Sequence, residues 1–150
     1  MSAANVETLL KEAESLLAEW TTQTNTPEPN RLDIWLEAAD VVPAMAALVE
    51  ARWGYLISIT GLDFPKEDKM EAIYHLGSGA AVLGLRAALD RSAPTVASVC
   101  HLIPSATLLE REVVEMFGVT FTDTPDTSHL YLPDNWPDDV YPLRKDTKLD

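Results

Sequence analysis

Ala72-Ile73-Tyr74-His75-Leu76, then Gly77-Ser78-Gly79, then Val82 to Leu89 is the run that decides the fold. Two apolar, β-prone stretches separated by a glycine-flanked tripeptide predict a β-hairpin. The reading extends upstream. Tyr55 to Thr60 is rich in aromatic and β-branched residues and predicts a strand, and Leu32, Ile34 and Leu36 alternate with Asp33, Trp35 and Glu37, a period of two that marks a strand with one face inward. Between these strands, Pro43 suits the first turn of a helix after Asp40. Met45, Leu48, Val49 and Trp53 continue that helix as a stripe, and Gly54 stops it. Four strands and a helix make a sheet with a layer on it.

Downstream, a short strand or turn follows Pro94, and a helix is predicted from about Ser105 to Phe117, where Leu109, Val113, Met116 and Phe117 face one way and Gly118 supplies the stop. Pro125, Pro133, Pro137 and Pro142 remove backbone donors, so residues 121–150 are expected as an extended C-terminal arm lying on a surface. At the other end Val6, Leu9, Leu10, Ala13, Leu16, Leu17 and Trp20 paint one stripe of an amphipathic helix over residues 1–20. Residues 21–30 are polar and hold two prolines, which predicts a linker and leaves the helix to pack elsewhere or on a partner. The expected architecture is a single two-layer α/β (α+β) domain: a small mixed β-sheet with helices packed on it over residues 31–120, the N-terminal helix before it and the arm after it.

With 150 residues and 47% hydrophobic content the chain is able to bury one core without disulfides or metal clips. Its 11 Lys and Arg against 24 Asp and Glu give a net charge of -13, which repels phosphate backbones and anionic headgroups and argues against nucleic acid. Cys100 is the single cysteine, so neither a disulfide framework nor a thiolate-held iron–sulfur cluster is expected, and a reducing cytoplasm suits the chain. No apolar run approaches the ~18 residues a membrane span needs. Nothing in Met1 to Glu7 reads as an export signal.

Two short runs are more specific: Leu109-Glu110-Arg111-Glu112-Val113-Val114-Glu115-Met116-Phe117-Gly118-Val119-Thr120-Phe121, and Pro142-Leu143-Arg144-Lys145-Asp146. With Pro133-Asp134 and Trp136 in register between them, they resemble the thirty-kilodalton (C-type) subunit family of respiratory NADH:quinone oxidoreductase, complex I. The likeness is strong over residues 104–146, weaker from about 31 to 103, and leaves residues 1–30 outside. It implies a subunit of the complex's peripheral arm on the cytoplasmic face of the cell membrane, with no redox cofactor of its own. Its partners would be the large hydrogenase-like (D-type) subunit, which helps form the quinone site, and neighbouring iron–sulfur subunits. It also implies that Glu110, Arg111, Glu112, Phe117, Gly118, Pro142, Leu143, Arg144, Lys145 and Asp146 are family-motif and docking residues.

The residues themselves weigh against chemistry. Glu110, Arg111 and Glu112 are consecutive on a helix and point in different directions, whereas two working carboxylates must converge. Arg111 and Glu115 are expected to pair at i, i+4, with Glu112 meeting a neighbouring chain or a donor such as Arg144; a solvated helix face is the plainer alternative. His75, His101, His129 and Cys100 have no metal-ligand spacing, and Asp134, Asp138 and Asp139 lack the central glycine of a hand-type calcium loop. Gly77-Ser78-Gly79 lacks the Lys-Ser/Thr of a phosphate loop. Two other functions stay open: the same scaffold role in a membrane-bound hydrogenase or ferredoxin-fed oxidoreductase, and a free-standing hydrolase or isomerase using Glu110 or Glu112, which predicts a deep pocket there.

Overall fold

A computed structural model describes residues 2–149. Helix α1 (Ala3–Leu16) is followed by strands β1 (Gln23–Glu28) and β2 (Arg31–Glu37), helix α2 (Val41–Glu50), strands β3 (Tyr55–Phe64), β4 (Lys69–Ser78), β5 (Ala81–Asp90) and β6 (Thr95–Ala97), helix α3 (Ala106–Phe117) and strand β7 (Thr120–Thr122). The main sheet has the order β1-β2-β5-β4-β3, and β6 with β7 forms a small parallel pair. The sheet is mixed: β2 runs parallel to β5, and every other neighbouring pair is antiparallel.

The central hairpin forms, with its turn at the end of the glycine tripeptide and not across it. Ser78 pairs with Ala81, so Gly79-Ala80 is the turn and Gly77 lies inside β4. Gly79, at φ 58°, supplies the left-handed conformation a two-residue turn requires. The larger correction concerns residues 21–30. The expected linker instead runs as β1 against β2, with Gln23 opposite Trp35 and Thr24 opposite Ile34. All six of its residues are exposed, so no buried face stamped a period of two on the sequence.

Register explains the layers. Leu32, Ile34, Leu83, Leu85, Tyr74 and Leu76 fall on one face of the sheet and are all buried. The three helices cover that face. α1 contributes Val6, Leu10, Ala13 and Leu17 to the same core, and the Trp53 indole N–H donates to Leu9 O at 2.9 Å, so the N-terminal helix packs on its own domain. The opposite face carries no helix among the described residues. Asp33, expected to point to solvent, is 3% exposed there because its neighbours roof it: Arg31 donates at 2.9 Å and Arg86 at 3.4 Å. Arg86 also reaches Glu71 at 2.7 Å and lies over the Trp35 ring, and Lys69 closes the row at 3.5 Å from Glu71. Alternating charges thus shield one another across the open face.

Candidate functional site

Helix α3 carries the first motif, and the fold sends its four charged residues to different places. Ala106, Glu110 and Val113 fall at the i, i+4, i+7 spacing of the buried stripe, so a glutamate sits where an apolar residue belongs. Glu110 is 0% exposed. Its Oε1 accepts the Val99 N–H at 2.9 Å, and its Oε2 accepts the Ser98 hydroxyl at 2.8 Å and the Cys100 thiol at 3.1 Å. Three converging donors stabilise the buried carboxylate and tie the loop after β6 to α3. The Tyr74 hydroxyl is buried without a hydrogen-bond partner, and burial, with the Glu110 carboxylate nearby, pushes its ionisation well above the ordinary phenol range. A residue sealed in this way does not meet a substrate or a neighbouring chain. Glu110 is an internal anchor in this structure, where the resemblance implied a docking residue, and the free-standing enzyme alternative finds no open site at it.

Arg111 and Glu115 do not pair with each other. Both grip the arm. Arg111 donates to Ser128 O at 3.0 Å and to His129 O at 2.8 Å, and lies 3.5 Å from Asp126. Glu115 accepts the N–H groups of Leu130 at 3.0 Å and Tyr131 at 2.7 Å, with the His129 ring at 3.3 Å. Burial pushes the Glu115 carboxyl up, but those donors outweigh it and hold it below the ordinary glutamate range. Glu112 differs from all three. It is half-buried, makes no hydrogen bond or ion pair among the described residues, and lines a hollow of about 330 Å³ between α3 and β3. That hollow is shared with Ser58, Thr60 and Met116, and holds no second titratable side chain to act with Glu112 as an acid–base pair.

Phe117 and Gly118 end the helix. The Phe117 ring packs against Gly61 of β3, where an added Cβ would come within 2.5 Å of it. Gly118 takes φ 73°, and its N–H returns to Val114 O at 2.9 Å, the turn that closes a helix in the left-handed conformation.

The second motif then folds back over this end. Leu143 donates its N–H to Met116 O at 3.0 Å, and Arg144 Nε donates to Phe117 O at 2.7 Å, placing a cation at the negative end of the α3 dipole. The Lys145 N–H reaches buried Asp63 at 2.9 Å, and Asp63 also accepts both arms of Arg91, at 2.7 and 3.0 Å. The Arg91 guanidinium holds the Asp63 carboxyl below its usual range against the opposing effect of burial. Asp146 completes the cluster at 2.9 Å from Arg91. The arm is therefore seated on its own domain from Ser128 to Asp146. Asp63, Arg91 and Glu115, none of them singled out by the sequence as anchors for the arm, seat it. No spacing rule links Asp63 to residues some eighty positions later.

Among the described residues there is no group of three or more His, Cys, Asp or Glu placed to hold a metal ion, and no helix is long and apolar enough to cross a membrane. His101 is exposed, and Cys100 is buried against Glu110.

Comparison with known proteins bears on this arrangement. The chain is 37% identical over 118 residues to the C subunit of the NADH-quinone oxidoreductase of Moorella thermoacetica, spanning 73% of this chain and 78% of that one. It is 38% identical over 97 residues to the C subunit of the F(420)H(2) dehydrogenase of Methanosarcina mazei, covering 63% of this chain and 61% of the relative. It is 36% identical over 111 residues, 65% of this chain, to the C/D subunit of the NADH-quinone oxidoreductase of Bacteroides thetaiotaomicron, of which it spans only 20%. Among solved structures, a chain of the archaeal membrane-bound sulfane sulfur reductase shares the fold, with a TM-score of 0.79 at 22% identity over 95% of this chain and 85% of that one. Residues 34–150 match the family described as respiratory-chain NADH dehydrogenase, 30 Kd subunit, and the chain belongs to that family.

Proposed function

We propose that this chain is a non-catalytic subunit of the peripheral arm of an NADH:quinone oxidoreductase or a closely related membrane-bound redox complex. In it the chain holds together the module that reduces quinone while electrons pass through cofactors in its neighbours. The complex sits on the cytoplasmic face of the membrane, and the chain carries no redox centre of its own. Its nearest partner is the large hydrogenase-like, D-type subunit, with iron–sulfur subunits beside it. The observation that carries the reading is the likeness to a chain whose name joins C and D: there the counterpart of these residues is one part of a polypeptide that also includes D. Fusion raises the effective concentration of one domain for its neighbour, so a separate chain in the same position must hold its partner through the strength of its own contacts.

The docking face is formed by α3 and the C-terminal arm. Leu143 is 54% exposed although the residues after it are anchored, and Glu112 is left without a partner among the described residues. Arg144, Lys145 and Asp146 act by fixing the arm's course, so that Pro142 and Leu143 present one shape to the partner. A second reading changes only the electron donor. The Methanosarcina relative names F(420)H(2) and not NADH, and the scaffold role is the same in both. The test is to tag the chain in its own cells, purify it under mild detergent, and identify the subunits and the donor that reduces quinone. A quinone-reducing complex containing a D-type subunit is expected. A chain that purifies alone, or with enzymes of another kind, overturns the proposal.

A further inference from the structure

The two edges of the sheet are built differently. β1, the edge on one side, is polar throughout, fully exposed and carries Pro27, which is how a strand edge is kept from pairing with other chains. β3, the edge on the other side, has neither charge nor proline from Tyr55 to Gly61. Its only ladder partner is β4, and among the described residues no other backbone hydrogen bond reaches residues 57–62. The ladder has a bulge at Ile57 and is regular from Ser58 to Phe64, where every other residue of the edge turns its N–H and C=O outward. Tyr55 is 67% exposed and Ile57 47%, an apolar pair at an unpaired edge.

Helix α3 runs alongside this edge and supplies a wall. Leu108, Glu112 and Met116 follow one another at i, i+4, i+8 on one stripe, and Leu108 is 55% exposed. Two hollows flank the strand in succession: one of about 460 Å³ beside Tyr55 and Leu56, reaching Ser105 just before α3, and one of about 330 Å³ beside Ser58 to Gly61, reaching Glu112 and Met116. They follow one another along the same strand: the first is mostly apolar with Arg52 at its rim, and the second is mostly apolar with Glu112, a carboxylate without a counter-charge among the residues that line it, so the groove is this strand edge with its two hollows. The neighbouring acids on α3, Glu110 and Glu115, are satisfied inside the domain.

We infer that this groove binds an extended segment of a partner subunit, added to β3 as a sixth strand, with a lysine or arginine of that segment paired to Glu112. The inference rests on the chain being a subunit of a larger complex. Strand addition uses the outward backbone groups, alternate apolar side chains fill the hollows, and Glu112 sets the register. Charge selects the occupant. A second copy of this chain would bring another net charge of -13 and another unpaired Glu112, so edge-to-edge self-pairing is opposed where a basic segment is attracted.

The experiment uses the complex purified through the tagged chain. A photo-crosslinking phenylalanine analogue replaces Thr60, an exposed residue of the edge, and the cross-linked peptide is identified by mass spectrometry. The expected product is one segment of another subunit that contains a lysine or arginine. Amides of residues 57–61 should exchange at least tenfold more slowly in the complex than in the isolated chain. Glu112→Arg should lower the recovered complex at least tenfold while the isolated variant melts as wild type does, and Glu112→Gln should leave a weaker association that responds less steeply to salt than wild type. Equal exchange in both states, cross-links to a second copy, or undiminished assembly by Glu112→Arg overturns the docking groove while the wild type still brings down its complex. If the wild type brings down no other subunit, the proposed function fails and the groove fails with it.

Discussion

Glu110→Ala is the substitution that separates a structural glutamate from a docking one. In the wild type one buried carboxylate accepts from the Val99 N–H, the Ser98 hydroxyl and the Cys100 thiol at 2.9, 2.8 and 3.1 Å. A hydrogen bond to a charged acceptor contributes about 1.5–3 kcal/mol, and a buried donor left without a partner costs about 1–3 kcal/mol. Counting the two short bonds fully and the thiol lightly, the loss is about 3–5 kcal/mol, against about 5–15 kcal/mol for a whole domain. At about 2–4 °C per kcal/mol for a chain of this size, Tm should fall by roughly 10 °C. Glu110→Gln keeps one acceptor oxygen but turns an NH2 toward a donor, and should lie between wild type and alanine. Thermal melts by circular dichroism and urea titrations of the isolated chain measure both. A Glu110→Ala chain that melts within about 2 °C of wild type, less than the loss of even one such bond predicts, would refute the anchoring argument and return Glu110 to the residues that face a partner.

Gly118→Val should destabilise twice over, since φ 73° costs a side-chain-bearing residue about 1 kcal/mol and the new Cβ falls 2.5 Å from the Tyr141 ring; a wild-type melting curve would contradict it. Removing residues 142–150 should leave a folded domain, but without the Leu143, Arg144 and Lys145 hydrogen bonds its Tm should drop by several degrees, and its association with partner subunits should fall further; unfolding, or unchanged association, would each count against the arm's role. Asp63 and Glu115 both have folded pKa values below their ordinary ones, so their contribution is complete above about pH 4.5 and is lost as pH falls through the lower folded values; stability measured from about pH 6 to about pH 2 should decline with acid, and Glu115→Gln should flatten part of that decline. The purified chain should show no visible absorption band and no stoichiometric metal, because no ligand set for a cluster, flavin or haem is recognisable in its sequence.

Legibility in the sequence follows from what leaves a periodic trace. Leu32, Ile34 and Leu36 announce β2 because one face of that strand is buried, whereas β1 has no inward face and so no pattern to read. Gly118 is legible as a helix stop because a left-handed residue has few alternatives to glycine. Glu110 is not, because the buried stripe of α3 passes through a charged residue, and a glutamate in an amphipathic helix is ordinarily counted to the wet side. Arg111, Glu115 and Arg144 carry a signal in the motif, but their partners are carbonyls and amides of the chain, which every residue possesses. Most of the arm's attachments therefore have no residue-type signature, and the ion pairs among them, Arg91 with Asp146 and Arg111 with Asp126, join positions that no local spacing connects.

The parallel pairing of β2 with β5 sets an order of events during synthesis. Ile34 meets Leu85, about fifty positions further on, and no earlier strand occupies that side of β2. While the ribosome is still making β3 and β4, β2 has β1 alone beside it, and the core face of both hairpin strands to come is missing. Contacts this distant in sequence slow folding, because loop closure precedes any gain from them. The nascent chain thus exposes Leu32, Ile34 and Leu36 until β5 emerges. By then α1 and α2, each with its own apolar stripe, have both been made, and in the finished fold both pack into the core those residues join. In the finished fold α1 lies outside the family-matched residues and still adds Val6, Leu10, Ala13 and Leu17 to the core that β2 and β5 close together.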